Sequence, residues 1–230
     1  MSMAFQLLLP VRMMPSARAT RRSALSESQC RARKHAAAAM IETMAQVFSQ
    51  NTLWVGEGCQ SRLKAKLPLV LRALPERLSQ VAKEAEALDV TTLLVDTAPH
   101  LDKTALDTIR IADLVLCPTK PDLLTLGALA DTVALIDAAG AKAKVLAVIN
   151  DLPTAEKARA MALETATVSL KKFGFPIAET TISHSPALVA AVGEGLGITE
   201  KSSKNRSSKE IAALWAEIVA RTAGQKVAAQ

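Results

Sequence analysis

"TTLLVDTAPHLD", residues 91–102, decides how this chain is read. Leu93, Leu94 and Val95 run without interruption into Asp96, and Thr97, Ala98 and Pro99 follow. An uninterrupted apolar run, with no alternation, marks a strand covered on both faces, as in parallel sheets. A carboxylate at the end of such a strand has two readings. It starts a turn or caps a helix, or it serves Mg²⁺, which takes oxygen ligands completed by water and phosphate oxygens. The second reading demands a phosphate-binding loop upstream.

The same alternation of strand and helix continues outward from this stretch. Residues 75–88 predict a helix. "LDKTALDTIRIA" (101–112) predicts another, with Leu101, Ala105, Ile109 and Ala112 on one face. "DLVLCPT" (113–119) is a second buried strand, and residues 122–140 form a helix closed by Gly140. "AKVLAVIND" (143–151) is a third strand, followed by a long helix that ends at Gly174. "FPIAETTIS" (175–183) reads as a fourth strand, and "SPALVAAVGEG" opens a helix with proline in its first turn. A final helix over 208–224 places Ile211, Leu214, Trp215 and Ile218 inward. The expected fold is α/β, a mostly parallel sheet with helices on both faces and a degenerate N-terminal portion. Ligands of such sheets bind beyond the carboxyl ends of the strands. Asp96, Pro118 and Asn150 all stand at such ends.

Composition agrees. Half of the 230 residues are apolar, only 3% are aromatic, and tyrosine is absent, so the core must be aliphatic. The three cysteines, Cys30, Cys59 and Cys117, are far apart, with no metal-site spacing, which fits a reducing, cytoplasmic setting. No run of about 18 apolar residues occurs, so no membrane span or membrane partner is expected. The net charge of +6 is uneven. Residues 1–80 carry 12 Lys/Arg against 4 Asp/Glu, and the rest of the chain carries 16 against 18. Residues 1–34, with Arg18, Arg21, Arg22, Arg31, Arg33 and Lys34 among Ser and Ala, have no period. They read as an irregular basic leader, disordered or non-native, with a transit peptide as the other reading. The expected domain spans 35–223, well patterned from about residue 68, with a tail over 224–230.

Individual strand-end residues carry chemistry. The Asn150 amide offers both a donor and an acceptor and could read a base, although Asn-Asp also starts turns. Lys120, between Pro118 and Pro121, faces either a phosphate or solvent. His100 and His184 have no evident partner and read as surface residues. "TEKSSKNRSSKE" places Lys201, Lys204, Arg206 and Lys209 among serines, a pattern that suits either a DNA backbone or a solvated loop.

Taken in order, these segments resemble the ParA/MinD-type P-loop ATPases over residues 68–223, the ParA plasmid and chromosome partition branch in particular. The shared features are the apolar strand to Asp96-Thr97-Ala98-Pro99, "ADLVLCPTKPDLLTLGAL", "VINDLP", "TTISHSPALVAAVGEGLGITE" and "EIAALWAEIV". The resemblance implies binding of ATP and Mg²⁺, an ATP-dependent homodimer and coating of DNA without sequence preference. It also implies ATP hydrolysis stimulated by a ParB-like centromere-binding partner, in a cytoplasmic protein on the bacterial nucleoid. By position, Asp96 becomes the metal-binding Walker B carboxylate, and Thr97 and Pro99 lie in the switch that senses the γ-phosphate. Asn150 contacts adenine, and Pro186 lies in the segment that closes over the base. Lys201, Lys204, Arg206 and Lys209 take the DNA.

The upstream demand is not met. The family's phosphate loop reads Lys-Gly-Gly-x-Gly-Lys-Thr-Thr, whose glycines let backbone N–H groups approach the phosphates. Here the first glycine is Gly56, and no Gly-Lys pair occurs. "AAAAMIETMAQ" (36–46) resembles a damaged copy of the family's next motif, Asp-x-Asp-Pro-Gln. In it Glu42 stands for the first Asp as a nucleotide-binding position, and Gln46 remains. A reading-frame error is one origin, since Ala19–Arg22 one frame over can spell Gly-Asn-Thr-Thr. Degeneration and recombination are the others. Two functions therefore stand: a ParA-like partition ATPase with impaired hydrolysis, or a pseudo-ATPase acting through dimerisation and DNA or partner binding.

Overall fold

The computed structural model describes residues 10–11, 52–55, 69–71, 77–87, 90, 92–95, 103–194 and 196–228. Six strands are assigned among them: β1 (Pro10–Val11), β2 (Thr52–Val55), β3 (Leu69–Leu71), β4 (Thr92–Val95), β5 (Val115–Thr119) and β6 (Val145–Ile149). β3, β2 and β4 pair in parallel, and β1 adds to the far side of β4 in the antiparallel sense, so the order is β1-β4-β2-β3. β5 and β6 form a second parallel pair, with Val115 opposite Val145 and Thr119 opposite Ile149. Seven α-helices are assigned among the described residues: α1 (Leu78–Ala87), α2 (Lys103–Ile111), α3 (Leu123–Ala139), α4 (Glu156–Phe173), α5 (Pro186–Gly193), α6 (Ile198–Lys201) and α7 (Arg206–Ala228).

The two faces of the sheet follow from strand alternation. Leu93 and Val95 of β4 join Val115 and Cys117 of β5 and Val145, Ala147 and Ile149 of β6 in one core, covered by α1 to α4. Leu94, Leu116, Leu146 and Val148 point the other way, onto Leu188 and Ala191 of α5, Ile198 of α6 and Ile211, Leu214 and Ile218 of α7. β4 therefore shares both layers with β5 and β6, although the backbone ladders are separate among the described residues. This is the α/β architecture expected from the sequence, with the buried faces of α2 (Ala105, Ile109) and α7 as predicted. Gly140 and Gly174 both adopt positive φ, 64° and 72°, and each closes its helix as read.

Three features differ from the sequence reading. β2 and β3 were not anticipated, although "TLWV" and "LVL" are short apolar runs. α7 runs past Gly224 to Ala228, and its start is set by Asn205, whose Oδ1 accepts the Ser207 N–H at 2.9 Å. The expected fourth strand is not continuous. Residues 175–184 make two isolated parallel bridges, Ala147–Ile177 with β6 and Leu152–Ser183 with the turn after it. Between and beside them, the N–H groups of Glu179 and Thr180 donate to the Glu217 carboxylate (3.0 and 3.1 Å), and that of Ser183 to Glu210 (2.9 Å). Helix α7 thus captures donors on this segment. Of the leader, Pro10–Val11 forms β1; the other residues of 1–34, with Glu42, Asp96, Thr97, Pro99 and His100, lie outside the described residues.

Candidate functional site

The parallel pair β5–β6 carries its two C-terminal ends to one place. The Asn150 N–H donates to the Thr119 carbonyl at 2.9 Å, continuing the ladder one residue beyond β6. The Asn150 side chain is thereby drawn inside, to 3% exposure. Its Oδ1 accepts the N–H of Asp151 at 2.8 Å, while its Nδ2 is buried with no partner. A buried donor left unpaired costs about 1–3 kcal/mol, so a group of this kind at a strand end suits a ligand that presents an acceptor.

Asp151 takes φ = 62°, the sole non-glycine residue with positive φ among the described residues. Its two carboxylate oxygens are both engaged. Oδ2 meets the Lys120 ammonium at 2.9 Å, and Oδ1 meets His184 Nδ1 at 2.7 Å. Burial alone would raise the Asp151 pKa. The hydrogen bonds and charges of Lys120 and His184 outweigh it and hold the carboxyl below the ordinary aspartate range. Lys120 from the end of β5, Asp151 from the end of β6 and His184 ahead of α5 thus form one latch. The sequence reading treated His184 as a surface residue without a partner. Its ring is 62% exposed, but Nδ1 is committed to Asp151. The available signal was topological, since three titratable residues follow three neighbouring parallel segments.

A second cluster lies beside the first. Ser183, 3% exposed, sits between two arginines. Its Oγ accepts from Arg159 (2.9 Å) and Arg206 (2.6 Å) and donates to Glu210 (2.7 Å), and Arg159 also reaches Thr181 at 2.8 Å. Arg206, one of the four residues read as DNA-contacting, therefore also pairs with Glu210 at 2.8 Å, and Lys201 pairs with Glu194 at 2.5 Å. Lys204 and Lys209 are exposed. Pro186 is the first residue of α5, exposed and two residues from His184. Asp96 follows immediately on Val95, the last residue of β4. On β5, burial pushes the Cys117 thiol up to about 12 against a lowering hydrogen bond from Thr119. No group of three or more His, Cys, Asp or Glu able to hold a metal occurs among the described residues. Nor does any described helix have the length and apolarity to cross a membrane.

Known structures share this architecture. The MinD cell division protein of Aquifex aeolicus is 13% identical, with 80% of this chain and 89% of that chain aligned at a TM-score of 0.59. A chain of the MinC:MinD cell division protein complex of the same organism is 14% identical over 80% and 88%, at 0.60. The ParA family ATPase of Chlorobium tepidum TLS is 15% identical over 78% and 92%, at 0.56. The fold is therefore that of the MinD and ParA ATPases, the P-loop NTPase type of α/β sheet. No family model and no curated protein matches the sequence.

Proposed function

We propose that this chain is a ParA-like partition protein that binds a purine nucleotide at the ends of β4 to β6, with hydrolysis impaired. The observation that carries the reading is Asn150, buried at a strand end with its Nδ2 unpaired. The base end of a nucleotide fits the residues present: Asn150 donates to the ring, and the segment through His184 and Pro186 covers it. Asp96 would hold Mg²⁺, with Thr97 and Pro99 beside the terminal phosphate and Glu42 upstream. Bound ATP–Mg²⁺ would supply the phosphoryl group and the charge that joins two subunits. Exposed Lys204 and Lys209, with Lys201 and Arg206 when released from Glu194 and Glu210, would meet DNA phosphates without reading sequence. A ParB-like protein is the partner proposed, and a nucleotide-dependent homodimer the active form.

The phosphate end does not fit. None of the nine glycines is followed by lysine, and the backbone cradle of a phosphate loop has no counterpart in the sequence. Each lost charge-assisted hydrogen bond is worth about 1.5–3 kcal/mol, so losing several weakens binding by orders of magnitude. This favours the second reading, a pseudo-ATPase that dimerises and binds DNA or a partner without turnover. A Mg²⁺–ATP titration of the protein and of Asp96→Ala, followed by phosphate release with and without DNA, tests both. Saturable binding weakened by Asp96→Ala supports the nucleotide site, and turnover then separates ATPase from pseudo-ATPase. No saturable ATP binding sinks the nucleotide reading altogether.

A further inference from the structure

We infer that Arg159, Arg206 and Thr181 form a receptor for a phosphate group presented as a monoester, at the edge of the sheet beside Ser183. The inference does not rest on the nucleotide reading and needs no ligand at the strand ends. Residues 175–184 run along the side of β6 away from β5. α4 packs on one face of the sheet through Ala166 and Leu170, and α7 on the other through Ile211 and Leu214. Arg159 lies in the first turn of α4, and Arg206 is the first residue of α7. The two side chains therefore reach the edge from opposite faces and meet at one oxygen, Ser183 Oγ, at 2.9 and 2.6 Å.

The charges at this point do not balance. Glu210 pairs with Arg206 at 2.8 Å. No carboxylate stands within ion-pair distance of Arg159 among the described residues, and its guanidinium reaches two hydroxyls, Ser183 and Thr181, at 2.9 and 2.8 Å. Arg159 is half-buried, where water compensates a cation less well. Holding Ser183 in place does not call for both arginines, because Glu210 already takes its N–H at 2.9 Å and its hydroxyl hydrogen at 2.7 Å. An anion beside Arg159 would neutralise it without displacing Glu210. The unused donors set the class of anion. A guanidinium carries five N–H donors in a planar fork. Arg159 and Arg206 each give two of theirs to the protein. The Thr181 hydroxyl accepts from Arg159, and its own hydrogen goes to no protein acceptor among the described residues. A phosphate monoester brings three terminal oxygens to these three groups and carries a charge of about −1.5 to −2 at pH 7. A backbone diester brings two oxygens and one charge, and its two sugars hold it away from a half-buried guanidinium. The monoester is the better match.

The test uses the full chain, labelled with nitrogen-15. Ionic strength is held constant and ligand is kept below about 10 mM, too little for general stabilisation by excluded salt. Inorganic phosphate, phenyl phosphate and dimethyl phosphate are titrated while the amides of Thr181 and Ser183 and the Arg159 Nε–H are followed by NMR. These signals should shift together and saturate, with a Kd for inorganic phosphate of about 1 mM or tighter. Phenyl phosphate should fall within about threefold of that value, and dimethyl phosphate should be weaker by about tenfold or more. Arg159→Ala should weaken phosphate by about tenfold or more, and Arg159→Lys, which keeps the charge and loses the fork, by at least about threefold. If Arg159→Ala does not fold, Arg159→Lys and the comparison of monoester with diester on the wild type decide. No saturable shift of these signals, a diester bound as tightly as the monoester, or an unchanged Kd in either variant overturns the inference. A short DNA duplex is the last arm. Saturation of the same signals by duplex and not by phosphate assigns the two arginines to a nucleic-acid backbone and also overturns it.

Discussion

At the scale of single residues, Asp151 concentrates the unusual features of the chain. A left-handed backbone costs an ordinary residue about 1–2 kcal/mol, less for Asp or Asn. Here the cost is offset by bonds to Lys120 and His184. Asp151→Ala loses both bonds and keeps a Cβ in the left-handed region, so it should lower stability by about 1–2 kcal/mol in urea denaturation. Asp151→Gly loses the same bonds but relieves the backbone, and should be the milder change; the reverse order would place the strain elsewhere. The pH dependence has a definite sign. The Asp151 pKa is depressed in the folded protein, so its contribution is complete above the unfolded aspartate pKa and is lost as pH falls through the folded value. The difference in melting temperature between wild type and Asp151→Asn should be full at about pH 5 and shrink as pH falls below about 4. Cys117 gives a second residue-scale expectation. With its pKa near 12 and no exposed surface to speak of, it should resist maleimide while the protein is folded and react at once in denaturant. Labelling of folded protein at Cys117, read by peptide mass, would contradict its burial.

At the scale of elements, the seam between α7 and residues 175–184 shows where sequence patterning stops. Apolar alternation in "FPIAETTIS" reports which side chains face the core, and Ala178 and Ile182 are indeed buried. It says nothing of which partner takes each backbone N–H: those of Ala178, Ile182 and His184 donate to the carbonyls of Ala147, Ile149 and Leu152, whereas those of Glu179, Thr180 and Ser183 go to glutamates 27 to 38 residues further on. The helix ends, by contrast, were legible because Gly140 and Gly174 act through local backbone freedom. The two glutamates are equally covered, with side chains 15% and 14% exposed, and differ in what they serve. Glu210 serves the N–H and Oγ of Ser183, which is buried, and ties down Arg206. Glu217 serves the N–H groups of Glu179, which is exposed, and Thr180, which is half-buried, and pairs with Arg221 at 3.2 Å. Glu210→Ala leaves the buried Ser183 groups without their acceptor and should cost about 2–3 kcal/mol in guanidinium denaturation, against about 1–2 kcal/mol for Glu217→Ala. A larger loss for Glu217→Ala would mean that burial of Ser183 does not set the cost.

At the scale of the molecule, the common edge of the β5 and β6 ends was legible and the side-chain wiring there was not. A parallel sheet sends its strand ends to one edge, so Pro118 and Asn150, at the ends of β5 and β6, could be placed together from pattern alone. The latch joining Lys120, Asp151 and His184 depends on strand register and on a backbone conformation that no apolar pattern encodes. The sheet itself raises the largest expectation. β5 and β6 are buried along their length apart from Pro118, and helices cover both faces. β4 shares those cores, yet its neighbour on the side away from β2 is a two-residue antiparallel strand in which Pro10 has no N–H to give. Packing, not a backbone ladder, therefore links β4 to β5 among the described residues. Such a molecule should open in parts. In native-state hydrogen exchange, the amides of Val115–Cys117, Thr119 and Val145–Ile149 should be the slowest. Those of β4 that point away from β2 should exchange at least about tenfold faster, which by a factor of ten per 1.4 kcal/mol places their opening well below global unfolding. Thermal unfolding followed by fluorescence of Trp215 on α7, in a Trp54→Phe variant, and by overall helicity should then fail to superimpose. Uniform protection from β4 through β6, with one sharp transition by both probes, would mean that the sheet behaves as a single ladder and that β1 closes it as firmly as a full central strand.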